Sequence, residues 1–165
     1  MSSQQLPGAR EVNAEPQILP ANLGDLAAER RLEKACFPRE DIWPLVESLW
    51  VLIKPGTVRL KIVSSGEMIG FLSGYVQSRG ELGWISSIGI TPAWQGHGLG
   101  ARLLASGESA LGTPLVRLTV RASNARAIHL YVRAGYRQIK TIRGYYVGGE
   151  DGLVFEKETR LSQAL

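Results

Sequence analysis

Residues 94–104 read WQGHGLGARLL, with three glycines in five positions and then an apolar run without a breaker. Glycine inside a helix costs about 1 kcal/mol relative to alanine, so glycines this dense ahead of a helix need a geometric purpose. Gly96, Gly98 and Gly100 carry no side chains, which lets backbone N–H groups close around a phosphate. A helix starting near Leu99 aims the positive end of its dipole at the same point. A plain turn and helix cap would also use glycine. Two phosphate loops do not fit. The dinucleotide loop is spaced Gly-x-Gly-x-x-Gly at the start of a strand–helix–strand unit, whereas here the spacing is Gly-x-Gly-x-Gly, preceded by strand-like segments. The nucleoside-triphosphate loop needs a Gly-Lys-Ser/Thr that this stretch lacks.

The surrounding pattern supplies the elements that must hold such a loop. Residues 1–16 are polar, contain Pro7, Gly8 and Pro16, and read as a flexible tail, leaving 17–165 as one domain. A short strand is expected at 17–19. Asn22 can cap a helix over 23–37 that Pro38 stops, and a second helix is expected over 42–53 with Pro44 in its first turn. The period then changes. Strands are expected at 57–65, 68–78 and 82–90, joined by turns at 66–67 and 79–81. After the glycine loop come a helix over 99–112, a strand over 114–122, a helix over 123–135, a strand over 136–146, a turn and a last strand over 153–160. The fold class is α/β: a mixed, mostly antiparallel sheet of about seven strands flanked by about four helices.

Composition narrows the function classes. The chain has 165 residues, 44% hydrophobic and 21% charged, the balance of a globular domain. No apolar run approaches the ~18 residues that span a bilayer, and the N-terminus lacks an apolar signal core. No membrane association is expected, and the expected location is cytoplasmic. Cys36 is the single cysteine, so no intrachain disulfide can form, and it reads as a small core residue or a nucleophile. The net charge of +4 is spread along the chain with no dense basic block, which gives no reason to expect direct nucleic-acid binding. Two histidines and one cysteine are scattered, so no metal site is expected.

Gln95, Gly98 and Gly100 fill the Gln/Arg-x-x-Gly-x-Gly/Ala pattern of the pyrophosphate loop in acetyl-CoA-dependent acyltransferases. A second motif, VRASNARAIHLYVRAGY at 120–136, is followed by RGYY and GED, and CFPRE stands at 36–40. On these motifs residues 83–155 resemble the GNAT superfamily of N-acetyltransferases. Within it they are similar to the branch of protein N-terminal acetyltransferases that includes the RimI-like enzymes acting on the terminal alanine of a ribosomal protein. The resemblance implies the GNAT acyl-CoA N-acyltransferase fold, its sheet splayed at the centre. It implies acetyl-CoA as cofactor, a peptide N-terminus or a small amine as acceptor, and a monomer or homodimer.

The same resemblance implies roles for individual residues. Ile88, Gly89 and Ile90 offer backbone groups to the pantetheine arm, and the strand amide near Ile90 polarises the thioester carbonyl. The pyrophosphate sits on the amides of Gly96, His97, Gly98, Leu99, Gly100 and Ala101, with His97 a loop residue rather than a catalyst. Asn124 bonds the cofactor, and it is also a good N-cap for the following helix. Tyr131 stands beside the thioester sulfur as general acid for the departing thiolate; helical spacing alone would also permit a core tyrosine. Tyr145 and Tyr146 either grip a peptide N-terminus or pack a hairpin. One position departs from the branch: Thr119 stands where its members carry a general-base glutamate. Glu81 precedes the level of Trp84 by three residues, and a water chain through Ser86 or Ser87 is the alternative route for the proton. The tract 47–56 is apolar where polar residues are usual, which implies a less polar acceptor pocket. An acyl-CoA-binding module without turnover remains a separate reading.

Overall fold

The computed structural model describes residues 15–39 and 55–159. The helix expected over 42–53 and nearly all of the expected N-terminal tail lie outside these residues. Seven strands form one sheet: β1 (Gln17–Pro20), β2 (Thr57–Ser64), β3 (Glu67–Gln77), β4 (Leu82–Ile90), β5 (Leu115–Arg121), β6 (Arg137–Ile142) and β7 (Gly152–Glu158). Their spatial order is β1-β2-β3-β4-β5-β7-β6. Every neighbouring pair is antiparallel except β4 and β5. Three α-helices are described: α1 (Leu26–Cys36), α2 (Leu99–Leu111) and α3 (Ala125–Arg133). None is long and apolar enough to cross a membrane.

Alternation along the strands decides which helix covers which face. On β2, Val58, Leu60 and Ile62 belong to the core on the α2 side. The intervening Arg59 and Lys61 meet α1 and its lead-in turn instead: Arg59 pairs with Glu29, and Lys61 with Asp25 at 2.7 Å. On β3, Leu72 packs on Gly107 of α2, while Phe71 meets Phe37 edge-on at 6.2 Å. A Cβ at Gly107 would lie 2.6 Å from Leu72 Cδ1, so glycine there lets α2 settle onto the sheet. The core holds Ile62, Leu72, Leu103, Leu104, Val116 and Leu118, each at most 1% exposed. Burial of this kind contributes roughly 1.5–3 kcal/mol per large aliphatic side chain.

Several boundaries differ from expectation for local reasons. The helix expected over 23–37 opens as a 3-10 turn, Leu23–Asp25, because Asp25 Oδ2 accepts the Asn22 N–H and Asn22 Oδ1 accepts the Gly24 N–H, each at 2.8 Å. The β2–β3 turn lies one residue earlier, at Ser65 (φ 49°) and Gly66 (φ 78°), a left-handed pair that matches the twist of a two-residue hairpin. The strand expected over 136–146 stops at Ile142, since Gly144 adopts φ 60° and its N–H donates to Asp151 Oδ1 at 2.9 Å. Tyr145 and Tyr146 therefore sit in a loop.

The sheet opens at its centre. β4 and β5 pair in parallel only from Leu82↔Leu115 to Ile85↔Leu118. Just beyond, the β3–β4 register slips: Gly74 faces Ile85 and Ser73 faces Ser87, leaving Ser86 as the extra residue of a bulge. A bulge bends its strand and sharpens its twist. The Ser86 hydroxyl fixes this one by donating to the Ser73 carbonyl at 3.1 Å. From there β4 leaves β5, and a cleft opens between residues 86–90 and 119–121.

Candidate active site

The cleft has a volume of about 150 Å³. Its walls come from β4 (Ser86, Ser87, Ile88), β5 (Thr119, Arg121) and α3 (Asn124, Ala127, Tyr131), with Glu33 and Phe37 entering from the α1 side and Tyr146 from the β6–β7 loop. Of the residues expected to act, Ile88, Asn124 and Tyr131 line it together. Tyr131 is 5% exposed, with its ring between Tyr136 at 5.9 Å and Phe155 at 6.3 Å. Burial, reinforced by Tyr146, pushes its phenol well above the ordinary tyrosine range. It therefore stays protonated at any physiological pH, as an acid must before it acts.

Asn124 caps α3, accepting from the Ala127 N–H at 3.1 Å. The acidic loop after β6 braces this corner. Glu150 takes the Arg121 guanidinium at 2.7 Å and the Ser123 N–H at 2.8 Å, and the Asp151 carbonyl accepts the Ala122 N–H at 3.1 Å. The Ser123 hydroxyl and N–H, with the Arg121 guanidinium, hold Glu150 well below the usual carboxylate range, at about 2. Arg121 also lies over the Tyr146 ring at 4.4 Å. The GED motif is thus a clasp on the turn between β5 and α3, a role its composition alone does not announce. Tyr145 is 53% exposed and meets Tyr146 edge-on at 5.0 Å.

The glycine loop adjoins the N-terminal end of α3. Gly96 and Gly98 adopt φ of 83° and 75°, which L side chains rarely take. A Cβ on Gly98 would meet nothing within 4 Å, so the turn faces open space. No side chain caps α2, and the amides of its first turn point out of the helix end. An open, left-handed, uncapped glycine turn at a helix N-terminus fits a diphosphate. Gly100 lies at the contact of α2 with α3, where a Cβ would sit 3.4 Å from Leu130. Leu99 is buried in the core and Ala101 is exposed.

On β4, Thr91 N–H donates to the Ile69 carbonyl of β3 at 2.9 Å. By alternation the backbone groups of Ile90 and Ile88 then face the open side. The Ile90 carbonyl is already engaged by Gln95 Nε2 at 2.9 Å and by the Cys36 thiol at 3.3 Å, which leaves its N–H as the group to offer a ligand. Gly89 is a packing glycine, since a Cβ would press on Phe71 at 2.8 Å and Cys36 at 3.3 Å. Burial pushes the Cys36 thiol up to about 11, which suits a small packing residue and not a nucleophile. His97 is exposed, with Nδ1 near the carbonyls of Gln95 (3.1 Å) and Trp94 (3.3 Å), and does not line the cleft.

Thr119 lines the cleft where a basic carboxylate was missed in the sequence. Glu81 is exposed and stands just before β4, at the end where β4 and β5 are still paired, so it does not line the cleft. Among the described residues, the carboxylate that does is Glu33 of α1. Sequence reasoning passed over it because one glutamate on a charged helix has no distinguishing pattern.

Comparison with known proteins agrees with this geometry. Residues 25–136 match the acetyltransferase (GNAT) family. The N-alpha-acetyltransferase RimI of Mycobacterium tuberculosis is 29% identical over 131 residues, 78% of this chain and 83% of that protein. N-alpha-acetyltransferase 20 of Dictyostelium discoideum is 31% identical over 100 residues, and there the match spans only 57% of the relative's length. The ribosomal-protein-S18-alanine N-acetyltransferase of Escherichia coli superposes with a TM-score of 0.76 at 26% identity, over 87% of this chain and 94% of that one. NAA60 of Arabidopsis thaliana, solved with acetyl-CoA, shares the fold at a TM-score of 0.76 and 22% identity, over 88% of this chain and all of that one. With two thirds of its length matched by the family and the splayed sheet, glycine turn and buried tyrosine in place, this chain belongs to the GNAT family of acetyltransferases.

Proposed function

We propose that this protein transfers the acetyl group of acetyl-CoA to the amino terminus of a peptide or protein, by direct attack of the amine. The observation that carries the reading is that α3 links two features: its Tyr131 lines the cleft where β4 and β5 part, and its Arg126 and Leu130 meet the open glycine turn at the start of α2. In this reading the turn's amides hold the diphosphate, and the Ile90 N–H lies along the pantetheine arm. Bound acetyl-CoA supplies an activated thioester; the chain supplies orientation and proton traffic. Tyr131, held neutral by burial, gives its proton to the leaving sulfur. Tyr146 in the cleft and exposed Tyr145 beside it present a rim for an extended peptide, and the mycobacterial relative named as an N-alpha-acetyltransferase supports that acceptor class.

Thr119 favours a second reading, a small amine as acceptor, because the branch acting on protein termini is expected to carry a glutamate there. One experiment separates the two. Thiol release from acetyl-CoA is followed with a panel of N-terminal peptides and a panel of small amines, beside thermal shift with CoA. Peptide-dependent release that falls about 100-fold in Tyr131→Phe supports the proposal. Release with small amines alone moves the substrate, and stabilisation by CoA without release on either panel overturns the enzyme reading.

A further inference from the structure

The sheet side of the cleft has no carboxylate, yet an amine that bonds to an acyl carbon must lose a proton. α1 carries two glutamates four residues apart, on one face. Glu29 is committed to the scaffold: it takes the Arg59 guanidinium and the Ser73 hydroxyl at 3.2 Å. Glu33, one turn on, lines the cleft shared by Thr119 and Tyr131 and is the only carboxylate among the described residues that does so. Its side chain is 12% exposed. Arg30 holds Oε2 at 3.2 Å, while Oε1 has no hydrogen-bond partner among the described residues.

We propose that Glu33 is the proton acceptor for the attacking amine, serving from α1 the role that a carboxylate at position 119 would serve from β5. The inference rests on the acetyl-transfer reading. The free amine's nitrogen bonds to the acetyl carbon and the carbon–sulfur bond breaks. The proton from nitrogen passes to Glu33, directly or through one water, and the thiolate takes a proton from Tyr131. Solvent then returns Glu33 and Tyr131 to their starting states. Among the described residues, the charged and titratable groups around Glu33 are Arg30 and Glu29 on α1, Arg59 on β2, and Arg121, Tyr131 and Tyr146, which line the same cleft. Burial first raises the carboxyl and Glu29 adds to it, while the two arginines oppose them; the net direction is upward from the ordinary glutamate value.

The test compares wild type with Glu33→Gln, Glu33→Asp, Arg30→Gln and the double variant Glu33→Gln/Thr119→Glu. Each is measured for kcat against pH on the best acceptor and for thermal shift with acetyl-CoA, and the Glu33 carboxyl of the free wild-type protein is titrated by carbon NMR. Glu33→Gln is expected to lose about 100-fold or more in kcat, with its acid limb flattened and acetyl-CoA binding within twofold of wild type. Asp should recover part of the rate, and Glu at 119 should recover at least tenfold. Arg30→Gln breaks the same ion pair but should keep the plateau rate and move the acid limb upward. If Glu33→Gln keeps kcat within threefold, if Arg30→Gln copies its loss, or if the carboxyl titrates in the ordinary range, Glu33 is not the acceptor. Absence of turnover by wild type on every amine would instead overturn the transfer reading itself, and this role with it.

Discussion

The side chain of Gln95 reaches back across its own loop to the end of β4, its Nε2 donating to the Ile90 carbonyl at 2.9 Å. Its Oε1 meanwhile accepts from Arg126 of α3. The loop-leading glutamine is therefore a strut between the open edge of β4 and the helix that carries Tyr131. It occupies the Ile90 carbonyl and ties the end of β4, the proposed pantetheine strand, to the glycine turn. Gln95→Ala removes a bond with a net contribution of about 0.5–1.5 kcal/mol. The expected outcome is a KM for acetyl-CoA raised about 3- to 10-fold with kcat little changed. An unchanged KM, or a collapse in kcat alone, would show that the loop holds its shape without the strut.

Gly98 isolates the cost of backbone conformation at the proposed diphosphate turn. An alanine at φ 75° pays about 1–2 kcal/mol, and here its Cβ would meet no protein atom within 4 Å. Gly66, at φ 78° and equally open, is the matched control in the β2–β3 hairpin. Both alanine variants should lose a few degrees of melting temperature. Only Gly98→Ala should also weaken CoA stabilisation, by at least tenfold in Kd from thermal-shift titration. Equal CoA binding by the two variants would take the diphosphate away from this turn.

Those two glycines also show what the sequence could and could not reveal. Period-two alternation over 57–65 located β2, turn signals bounded the next two strands, and the glycines located the turn at the α2 N-terminus, because these signals are local. The splay depended on Ser86 being surplus in the β3–β4 register, which is a property of two strands together. The face covered by α1 was likewise concealed, because Arg59 and Lys61 pair with Glu29 and Asp25 of a segment thirty-odd residues away. Glu33 was hidden for the same reason, since only the packing of α1 over the bulge brings it to the cleft. The strand expected over 136–146 included Tyr145 and Tyr146, whereas the side chain of Asp151 turns the chain at Gly144, a contact between residues seven apart.

The tyrosine rim makes its own prediction. Gly152 starts β7 beneath Tyr145, and a Cβ there would lie 2.9 Å from the ring and 3.0 Å from Thr119 Cγ2. Gly152→Ala must displace one of them, and the exposed ring gives way more readily than a residue held in register on β5. Overpacking costs about 1–3 kcal/mol where nothing can yield, so the loss here should fall near the lower end. If Tyr145 belongs to the acceptor rim, KM for the peptide should rise several-fold while KM for acetyl-CoA stays put. A change in both constants together would mean that the ring's position is coupled to the whole cleft.

Glu150 supplies the pH dependence. Its folded carboxyl, at about 2, lies below the ordinary glutamate value because the Ser123 N–H and hydroxyl and the Arg121 guanidinium all favour the charged form. A depressed carboxyl stabilises the fold fully above its unfolded pKa of ~4.3, and that contribution fades as pH falls toward the folded value. Melting temperatures of wild type and Glu150→Gln should therefore differ by a constant amount from pH 6 to 7, converge between about pH 4.3 and pH 2, and coincide below. The clasp holds Ser123 just ahead of the Asn124 cap, so transferase activity at neutral pH should drop in the variant along with the melting temperature. A difference that persists unchanged down to pH 2 would mean that Glu150 acts through packing alone and that the charge on Arg121 is balanced elsewhere.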